Sequence, residues 1–400
     1  MASLALLSAC SENDSFSASI GKQLTFSADT VYMDTIFSNV PSSTKSFWVY
    51  NKSGDGLRCT NVRLEKGNQT GFRVNVNGTY LGQTSGYQTS NLEIHNKDSI
   101  RVFLEVTTTS TYQDNPKKIT DNLIFTLESG VQQKVNLNAW SWDAKLLHNV
   151  KISKDSIISW PKPIVIYGGL TVDSGATLTL SAGTTLYFHA DAAIDVYGRL
   201  ICSGTPSNNV VLRGDRLDNM FSYLPYDCVS GQWKGVHLYG SSYGNVINYT
   251  DIHNTDNGLV ADSSNLDKTK FTMESSTIHN CNGYGLKTVN SNVFVSNCQI
   301  TNTLNDCVYV DGGKADINGC TLAQFYPFNA NRGAAIMFSS THTPLLKMKC
   351  INTLITGYAD DVMEGEHEDT LKTFNYAFDH CIIRIPKIMT VDSIHFTNVT

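Results

Sequence analysis

Between about residue 165 and residue 385 the sequence repeats itself every 22 to 33 residues, and this repeat restricts the fold more than any other feature. The first two copies are residues 167–172 and 197–202, which are offset by 30 residues. Each later copy carries one aliphatic residue, at Ile252, Ile278, Ile300, Leu322, Ile355 and Ile383. A fixed period of roughly 20 to 50 residues is typical of stacked units that share one continuous core. Since the repeats are β-branched runs broken by Gly, Asn and Asp, the units are predicted to be strands and turns.

Two further columns accompany the aliphatic one. Two residues before it the side chains are small, namely Thr250, Ser276, Cys298, Cys320, Thr353 and Cys381. Two residues after it the side chains are amides, namely Asn254, Asn280, Asn302 and Gln324. Residues two apart share one side of a strand, so the small and aliphatic columns are predicted to point inward. The Asn column is predicted to mark turns, where Asn tolerates left-handed backbone angles and its amide can bond turn carbonyls.

This pattern resembles the right-handed parallel β-helix of the pectin-lyase-like superfamily, over about residues 150–400. The resemblance implies a fold and not an activity, because the superfamily includes lyases, hydrolases, adhesins and inert scaffolds. A solenoid needs a polar cap on its last coil. None is evident at residues 398–400, so we expect capping residues to follow or this end to pack against another surface.

Residues 20–142 have a different pattern, with about seven short alternating strands. The predicted strands are 24–26, 46–50, 62–64, 72–76, 100–106, 123–127 and 134–140. Their number and spacing suggest an immunoglobulin-like sandwich. The segment resembles the small β-sandwich that precedes β-helices in Bacteroidetes surface proteins. The predicted fold class is therefore all-β, an N-terminal β-sandwich followed by a right-handed parallel β-helix solenoid.

The first 19 residues are interpreted as the remnant of a signal peptide, a lipobox and a tether. Residues 7–10 read Leu-Ser-Ala-Cys, which resembles a bacterial lipobox, and the apolar run before them is too short to span a bilayer. The resemblance implies a lipid on Cys10 and attachment to the outer membrane. The acidic residues at 11–14 resemble the export signal of Bacteroidetes lipoproteins, which implies exposure at the cell surface.

Charge and cysteine usage exclude several classes of partner and cofactor. Only 16% of the residues are charged and the net charge is −6, which argues against nucleic acid or an anionic membrane surface as a partner. None of the Cys and His spacings indicates a zinc site, and no cofactor is expected. An exported protein with ten Cys residues can form disulfides. However, Cys298 and Cys320 share a column with Thr and Ser, which favours buried free thiols.

The sequence does not reveal a catalytic set of residues. His253 and His279 fall on successive coils, and they form either an outward-facing structural pair or a catalytic pair. Residues 360–369 contain six carboxylates and a His, which form either a Ca²⁺ site or a solvated loop. Neither pattern is sufficient to predict a catalytic or a metal site.

Residues 213–233, which we call the excursion, interrupt the repeat between two strands. Long loops that leave a solenoid often carry function. Aromatic rings can stack on sugars, and charged side chains can bond their hydroxyls. The candidate ligand-binding residues are Asp215, Arg216, Phe221, Tyr223, Tyr226 and Trp233. The alternative is a loop that folds back and covers apolar coil surface.

These observations favour a non-catalytic outer-membrane surface lipoprotein. Its β-helix is expected to bind a polysaccharide or a partner outer-membrane protein, as an accessory of a nutrient-uptake or transport complex. The first alternative is a polysaccharide lyase or glycoside hydrolase of the same fold. The second alternative is a structural or adhesive spacer.

Overall fold

The computed structural model describes residues 15–159, 162–385 and 391–400. The chain divides into two compact units, residues 1–143 and 144–400. Cys10 and the predicted lipobox lie outside the described residues. Within them, no helix has the length and the apolar character needed to cross a bilayer. Both units are built from strands, and the predicted all-β class is confirmed.

The N-terminal unit is a β-sandwich of two sheets. Its strands are β1 (Thr25–Phe26), β2 (Thr30–Phe37), β3 (Lys45–Tyr50), β4 (Leu57–Leu64), β5 (Phe72–Val76), β6 (Thr79–Tyr80), β7 (Gln88–Thr89), β8 (Leu92–Ile94), β9 (Ser99–Val106), β10 (Lys117–Leu127) and β11 (Gln132–Trp142). One sheet has the order β1-β3-β9-β5-β6. The other has the order β2-β11-β10-β4-β7, with β8 beside β4. A single-turn 3-10 helix, Gln83–Ser85, follows β6.

The strands of this unit alternate buried and exposed residues, as strands with one solvated face do. The inward side chains of both sheets form a single apolar cluster that includes Val49, Leu104 and Phe125. The sequence pattern missed β2, an eight-residue strand that pairs in parallel with β11. The reason is Asp34, whose φ of 57° breaks the alternation in the middle of the strand, next to a shift of register.

The second unit is a solenoid of parallel strands. Its strands are β12 (Lys145–Ile152), β13 (Ser156–Ile158), β14 (Ile164–Val172), β15 (Thr177–Ser181), β16 (Thr185–Phe188), β17 (Ala193–Val196), β18 (Arg199–Ser203), β19 (Val210–Gly214), β20 (Asn219–Phe221), β21 (Leu224–Pro225), β22 (Gly235–Leu238), β23 (Asn245–Asn248), β24 (Thr250–His253), β25 (Leu259–Ala261), β26 (Phe271–Glu274), β27 (Thr277–Cys281), β28 (Leu286–Ser296), β29 (Gln299–Thr303), β30 (Val308–Asn318), β31 (Thr321–Gln324), β32 (Ile336–Ser339), β33 (Leu345–Ile351), β34 (Leu354–Gly357), β35 (Met363–Glu366), β36 (Phe374–Asp379), β37 (Ile382–Ile383) and β38 (Phe396–Thr397). A 3-10 turn, Tyr226–Cys228, follows β21.

Each coil passes through three sheets, which we call faces A, B and C. Face A stacks β12 (145–148), β14 (164–166), β16, β19, β24, β27, β29, β31, β34 and β37. Face B stacks β12 (150–152), β14 (170–172), β17, β22, β25, β28 (286–289), β30 (308–311), β32 and β35. Face C stacks β13, β15, β18, β23, β26, β28 (291–296), β30 (313–318), β33, β36 and β38. All of these pairings are parallel, so neighbouring coils lie about 4.8 Å apart.

The inward columns predicted from the repeat belong to face A. Ile252, Ile278 and Ile300 are fully buried in one continuous apolar cluster of the solenoid. The small residues two positions earlier are buried as well. Asn254 directly follows β24, and Asn280 and Asn302 are the second-last residues of β27 and β29; the three adopt φ values of 64°, 55° and 56°. The left-handed backbone predicted for the Asn column is therefore present at its three Asn residues, whereas Gln324 does not have a positive φ.

The predicted alignment of residues 167–172 with residues 197–202 is wrong, because the two segments occupy different positions in the coil. Residues 167–172 cross from face A to face B, whereas residues 197–202 cross from face B to face C. Leu170 pairs with Ile194, and Leu200 pairs with Leu178. The two segments look alike because both contain a strand, a glycine corner and another strand. The 30-residue offset is therefore not the length of a coil.

Nine cysteines lie in the described residues, and all nine carry free thiols. Cys228 is exposed and the other eight are buried. Cys298 and Cys320 are among the buried ones, and each lies near backbone carbonyl oxygens of its own and the preceding coil. These two side chains fill the same inward space that Ser276 and Thr353 fill on other coils.

Candidate functional site

The excursion leaves the solenoid after β19 on face A and returns at β22 on face B. Its middle forms a small antiparallel hairpin, in which Phe221 of β20 pairs with Leu224 of β21. The 3-10 turn Tyr226–Cys228 follows the hairpin and leads back to the coil. The segment therefore has a regular structure of its own, which the sequence pattern did not predict.

Arg213, Asp227 and His253 hold the excursion against the outer surface of face A. Nη1 of Arg213 lies 2.7 Å from Oδ1 of Asp227. The same oxygen lies 3.1 Å from Nε2 of His253. Arg213 is the first residue of the excursion and still lies on β19, His253 lies on the neighbouring strand β24, and Asp227 lies in the 3-10 turn of the excursion. The Asp227 carboxylate thus joins the excursion to two successive coils.

Asp251 lies on the other side of His253 and also contacts the next coil. Its Oδ1 lies 3.0 Å from Nδ1 of His253 and 3.1 Å from Nε2 of His279. The imidazoles of His253 and His279 are register partners and stack, with ring centroids 4.7 Å apart and planes at 14°. The five residues Arg213, Asp227, Asp251, His253 and His279 are called the His–Asp cluster below.

Burial and hydrogen bonding oppose each other in this cluster. Burial alone would raise the pKa of Asp251, but the hydrogen bonds from His253 and His279 outweigh it and hold the pKa well below its ordinary value. The hydrogen bond from His253 also lowers the pKa of Asp227 against the effect of burial. Burial would lower the pKa of His253, but the hydrogen bonds to Asp227 and Asp251 raise it overall. The cluster therefore favours ionised carboxylates and a protonated His253.

Asn254 supplies the second attachment of the excursion. The residue is fully buried, and its Nδ2 donates to the carbonyl oxygens of Asp227 at 2.8 Å and of Val229 at 3.0 Å. Nδ2 of Asn280, one coil further, lies 3.3 Å from the same Asp227 carbonyl oxygen. The amides of the Asn column thus bond backbone carbonyls of the excursion.

Trp233 is not available to a ligand, which corrects its prediction as a sugar-stacking residue. Its side chain is 1% exposed and belongs to the core cluster of the solenoid. The indole stacks on Phe188, with centroids 4.2 Å apart. It also donates from Nε1 to the carbonyl oxygen of His253 at 2.8 Å. Where the excursion rejoins the coil, the chain turns inward, and the large ring fills the core at that corner.

Three of the other predicted ligand-binding residues are already bonded within the protein. Asp215 has an almost buried side chain whose Oδ2 lies 2.7 Å from Nδ1 of His189. Arg216 forms a two-pronged pair with Asp218, at 2.8 and 2.7 Å. The guanidinium of Arg216 also lies 3.8 Å from the centroid of the Tyr226 ring. These contacts stabilise the base of the excursion.

Phe221 and Tyr223 are the two predicted residues that the structure leaves open to solvent. Phe221 is 54% exposed and Tyr223 is 80% exposed, although both are large and apolar. Their rings are nearly parallel, at 14°, with centroids 5.6 Å apart. They lie at the tip of the hairpin, where they form an aromatic surface that we call the hairpin pair.

The His–Asp cluster includes three residues with the chemistry of a metal site. Asp251, His253 and His279 each offer one ligand atom, and these atoms lie within 4.8 Å of one another. An imidazole binds a metal ion in the plane of its ring, at about 2.0–2.1 Å for zinc. Two stacked rings 4.7 Å apart do not share such a position. The arrangement therefore suits hydrogen bonds to a shared carboxylate better than an ion.

The acidic run at residues 360–369 is only partly a loop. Its centre is strand β35, Met363–Glu366, which pairs in parallel with β32 on face B. The carboxylate residues Glu364 and Glu366 are exposed, as are Asp360 and Asp361 before them. Water therefore reaches these side chains, as expected of a solvated segment.

The sequence interpretation missed Arg213, Asp227 and Asp251 as members of one site. One signal was available, because Asp251 and His253 are two apart on a strand whose intervening residue is inward. The outward position of both follows from that alternation. The position of Asp227 was not available, since it depends on how the excursion folds back.

A family model described as a right handed beta helix region matches residues 143–322. The matched segment covers most of the coils described above. The unit is a right-handed parallel β-helix. No curated protein matches the chain significantly.

Several solved structures are similar to this chain at low sequence identity. A family 123 glycoside hydrolase from Clostridium perfringens is 6% identical, with a TM-score of 0.22, and the match covers 32% of this chain and 30% of that one. The catalytic domain of a GH87 alpha-1,3-glucanase in complex with nigerose is 12% identical, with a TM-score of 0.35 and coverages of 90% and 87%. The A-module of a mannuronan C-5 epimerase from Azotobacter vinelandii is 11% identical, with a TM-score of 0.28 and coverages of 64% and 89%. At these values the likeness carries no information about activity.

Proposed function

We propose that this chain is a carbohydrate-binding protein of the bacterial cell surface, and that the hairpin pair contacts the polysaccharide. The observation that carries the proposal is the exposure of Phe221 and Tyr223 as two nearly parallel rings on a hairpin that is fixed at its base. Removing two such rings from water is favourable, and the apolar face of a sugar ring can cover them. An attached hairpin also avoids much of the entropy cost of ordering a loop on binding.

The base of the excursion supports this function. Asp227 is held by Arg213 and His253, and the backbone beside it is held by Asn254. These bonds restrain the segment on which the two rings are mounted. A rigid aromatic pair loses little conformational freedom when it binds, since each ring has only two side-chain torsions.

The cellular setting is part of the same proposal. The lipobox-like residues 7–10 support a lipid at Cys10, attachment to the outer membrane and exposure at its outer surface. A surface lipoprotein that holds polysaccharide near the membrane suits an accessory role in a nutrient-uptake complex. We further propose that the N-terminal sandwich is an immunoglobulin-like domain and that the protein comes from a member of the Bacteroidetes.

The test is affinity electrophoresis of the whole chain through gels that each contain one polysaccharide from a broad panel. We expect at least one polysaccharide to slow the wild-type protein, and we expect the double variant Phe221→Ala and Tyr223→Ala to migrate freely in that gel. The matched control is Tyr112→Ala, which removes an aromatic ring that is 93% exposed in the other unit. Equal retardation of the double variant and the control would contradict the proposal, as would a wild-type protein that no polysaccharide retards.

A second candidate function is acid–base chemistry on a polysaccharide, because the His–Asp cluster joins two carboxylates, two imidazoles and an arginine. His279 is more accessible than His253, with 25% of its side chain exposed, and Asp251 orients it. Groups of this kind transfer protons in lyases and glycosidases. Release of reducing ends from the same polysaccharides tests it, with Asp251→Asn as the inactive variant. Failure of every polysaccharide to yield product would exclude this function and leave binding unaffected.

A further inference from the structure

The outer surface of the sheet β1-β3-β9-β5-β6 in the N-terminal sandwich carries aromatic and charged side chains in ordered rows. Ser46 pairs with Phe103, Phe103 with Asn75, and Asn75 with Tyr80, so these four residues form one row across four strands. Because side chains alternate between the two faces of a sheet, the rows two residues away on either side face outward as well. We call the surface made of Trp48, Arg73, Tyr80, Arg101, Phe103 and Glu105 the sandwich face.

Three aromatic rings of the sandwich face are exposed. Trp48 is 40% exposed, Phe103 is 38% exposed and Tyr80 is 54% exposed. The inward residues between them on the same strands, such as Val49 and Leu104, are almost completely buried. The outward positions of a solvated sheet are normally polar, so a set of three exposed rings on one face is a sign of a binding surface.

Beside two of these rings lies a cavity of about 250 Å³. Its lining includes Tyr80, Phe103, Arg73, Asn75 and Glu105. Small-molecule sites are commonly about 300–1,000 Å³, so a cavity of this size suits one ring of a ligand that continues along the surface. The lining pairs aromatic faces with amide, guanidinium and carboxylate groups. A sugar ring presents the complementary combination of an apolar face and a rim of hydroxyls.

The charges of the sandwich face are not balanced among the described residues. Arg73 pairs with Glu105, with Nη2 and Oε2 3.1 Å apart, while its Nε is buried and has no hydrogen-bond partner there. Arg101 lies over Trp48 and Phe103, at 5.4 and 5.0 Å from their ring centroids, and donates only to the hydroxyl of Ser46 among the bonds described. Its positive charge therefore faces solvent without a carboxylate beside it, held in place by two rings and a hydroxyl.

We propose that the sandwich face is a second carbohydrate site, distinct from the hairpin pair, and that its ligand is an acidic oligosaccharide. The rings of Tyr80 and Phe103 take the apolar faces of the sugars. The Arg101 guanidinium takes a sugar carboxylate, because its planar fork matches that group in a two-pronged hydrogen bond. The chemistry favours a glycan over a protein, since Arg73, Asn75 and Glu105 line the cavity together with Tyr80 and Phe103, whereas a protein interface places its polar groups around a broad apolar centre.

The experiment uses the whole chain on an array of immobilised oligosaccharides that contains galacturonate, mannuronate, guluronate and glucuronate oligomers beside neutral oligomers of equal length. We expect at least one uronate oligomer to bind more tightly than its neutral counterpart. Arg101→Gln is expected to weaken that binding by about tenfold or more, and Tyr80→Ala by a similar factor. Arg101→Lys keeps the charge but loses the fork, so it is expected to fall between wild type and Arg101→Gln.

Two controls make the result decisive. Tyr32→Ala removes an exposed tyrosine on the other sheet, β2-β11-β10-β4-β7, and is expected to bind as the wild type does. The double variant Phe221→Ala and Tyr223→Ala also keeps this binding if the two sites are separate, so failure of the hairpin proposal and of this one can be told apart. Thermal unfolding checks that each variant is folded. Absence of binding to every uronate oligomer, or binding that Arg101→Gln and Tyr80→Ala leave unchanged, overturns the proposal.

Discussion

Trp233 donates a hydrogen bond to the backbone of His253 on the core side of the sheet, while the side chain of His253 contacts Asp227 on the outer side. The indole Nε1 of Trp233 reaches the carbonyl oxygen of His253 from the core, at 2.8 Å. The imidazole of His253 reaches Asp227 on the outer surface, at 3.1 Å. A single residue of β24 therefore holds both the middle and the end of the excursion. Changes on either side of the sheet are expected to loosen the same segment.

The first prediction concerns the two roles of Trp233. Trp233→Ala removes a buried ring from the core, and we expect it to lower the free energy of unfolding by about 3–5 kcal/mol. Trp233→Phe keeps a ring against Phe188 but leaves the His253 carbonyl without its donor, at a cost of about 1–3 kcal/mol. Urea denaturation followed by circular dichroism measures both. A Trp233→Phe variant as stable as the wild type would show that the hydrogen bond contributes nothing.

The second prediction is a pH dependence that arises from His253. Its pKa is raised in the folded protein, so the stabilisation it provides is fully present below its unfolded value of about 6.5 and is lost as the pH rises through the raised pKa. The pKa values of Asp227 and Asp251 are lowered, so their contributions are present above the ordinary carboxyl value and are lost in strong acid. The cluster is therefore most stabilising in mildly acidic solution.

His253→Gln tests this dependence, because glutamine hydrogen bonds but does not titrate. We expect the wild type to be more stable than His253→Gln by about 1–3 kcal/mol near pH 5.5, with a difference that shrinks towards pH 9. Unfolding in urea at several pH values gives the difference directly. A difference that stays constant with pH would assign the role of His253 to packing alone.

The third prediction separates the two roles of Asn254. Asn254→Gly keeps the left-handed backbone but deletes the Nδ2 bonds to the excursion, and we expect a loss of about 1–3 kcal/mol. The control is Asn302→Gly, at the equivalent turn two coils away with φ 56°. It is expected to cost less than about 1 kcal/mol, since glycine also adopts this conformation. Faster hydrogen exchange of residues 219–229 in Asn254→Gly alone would locate the effect in the excursion.

The fourth prediction concerns the thiols. Cys228 is the one exposed cysteine among the nine in the described residues, so native protein treated with iodoacetamide is expected to be modified at Cys228 and not at the other eight. Burial raises the pKa of Cys202, Cys281 and Cys307 to about 12, which keeps these thiols unreactive. Denaturation without a reductant should then expose all eight. Peptide mass mapping reads the pattern, and thiols that stay blocked after denaturation would indicate disulfides.

The repeat predicted the coils because its period-two alternation is a direct consequence of strand geometry. Ile252, Ile278 and Ile300 point inward for that reason, and the left-handed Asn turns follow from the tolerance of Asn for positive φ. The alignment of residues 167–172 with 197–202 failed because three corners of one coil can share the same glycine chemistry. Local patterns define a strand and its turn but do not say which face of the coil they belong to.

The candidate site was predictable only in part. Exposed rings at Phe221 and Tyr223 were identified because they lie in a polar segment that interrupts the repeat. Trp233 lies in the same segment and was placed wrongly, since nothing in its neighbours shows that the chain turns back into the core there. The contacts of Asp227 were not predictable, because its partners, Arg213 and His253, are 14 and 26 residues away in the sequence and meet it only after the hairpin closes.

The excursion begins and ends on coils whose pairing continues undisturbed around it. Leu212 still pairs with Ile252 on face A, and Val236 still pairs with Leu259 on face B. The solenoid therefore holds this segment at its two ends and at Asp227, whereas the tip of the hairpin takes no part in the pairing of the coils. A hairpin with another tip can therefore be exchanged there while the pairing of the coils is kept, which makes this corner a suitable point for grafting a loop.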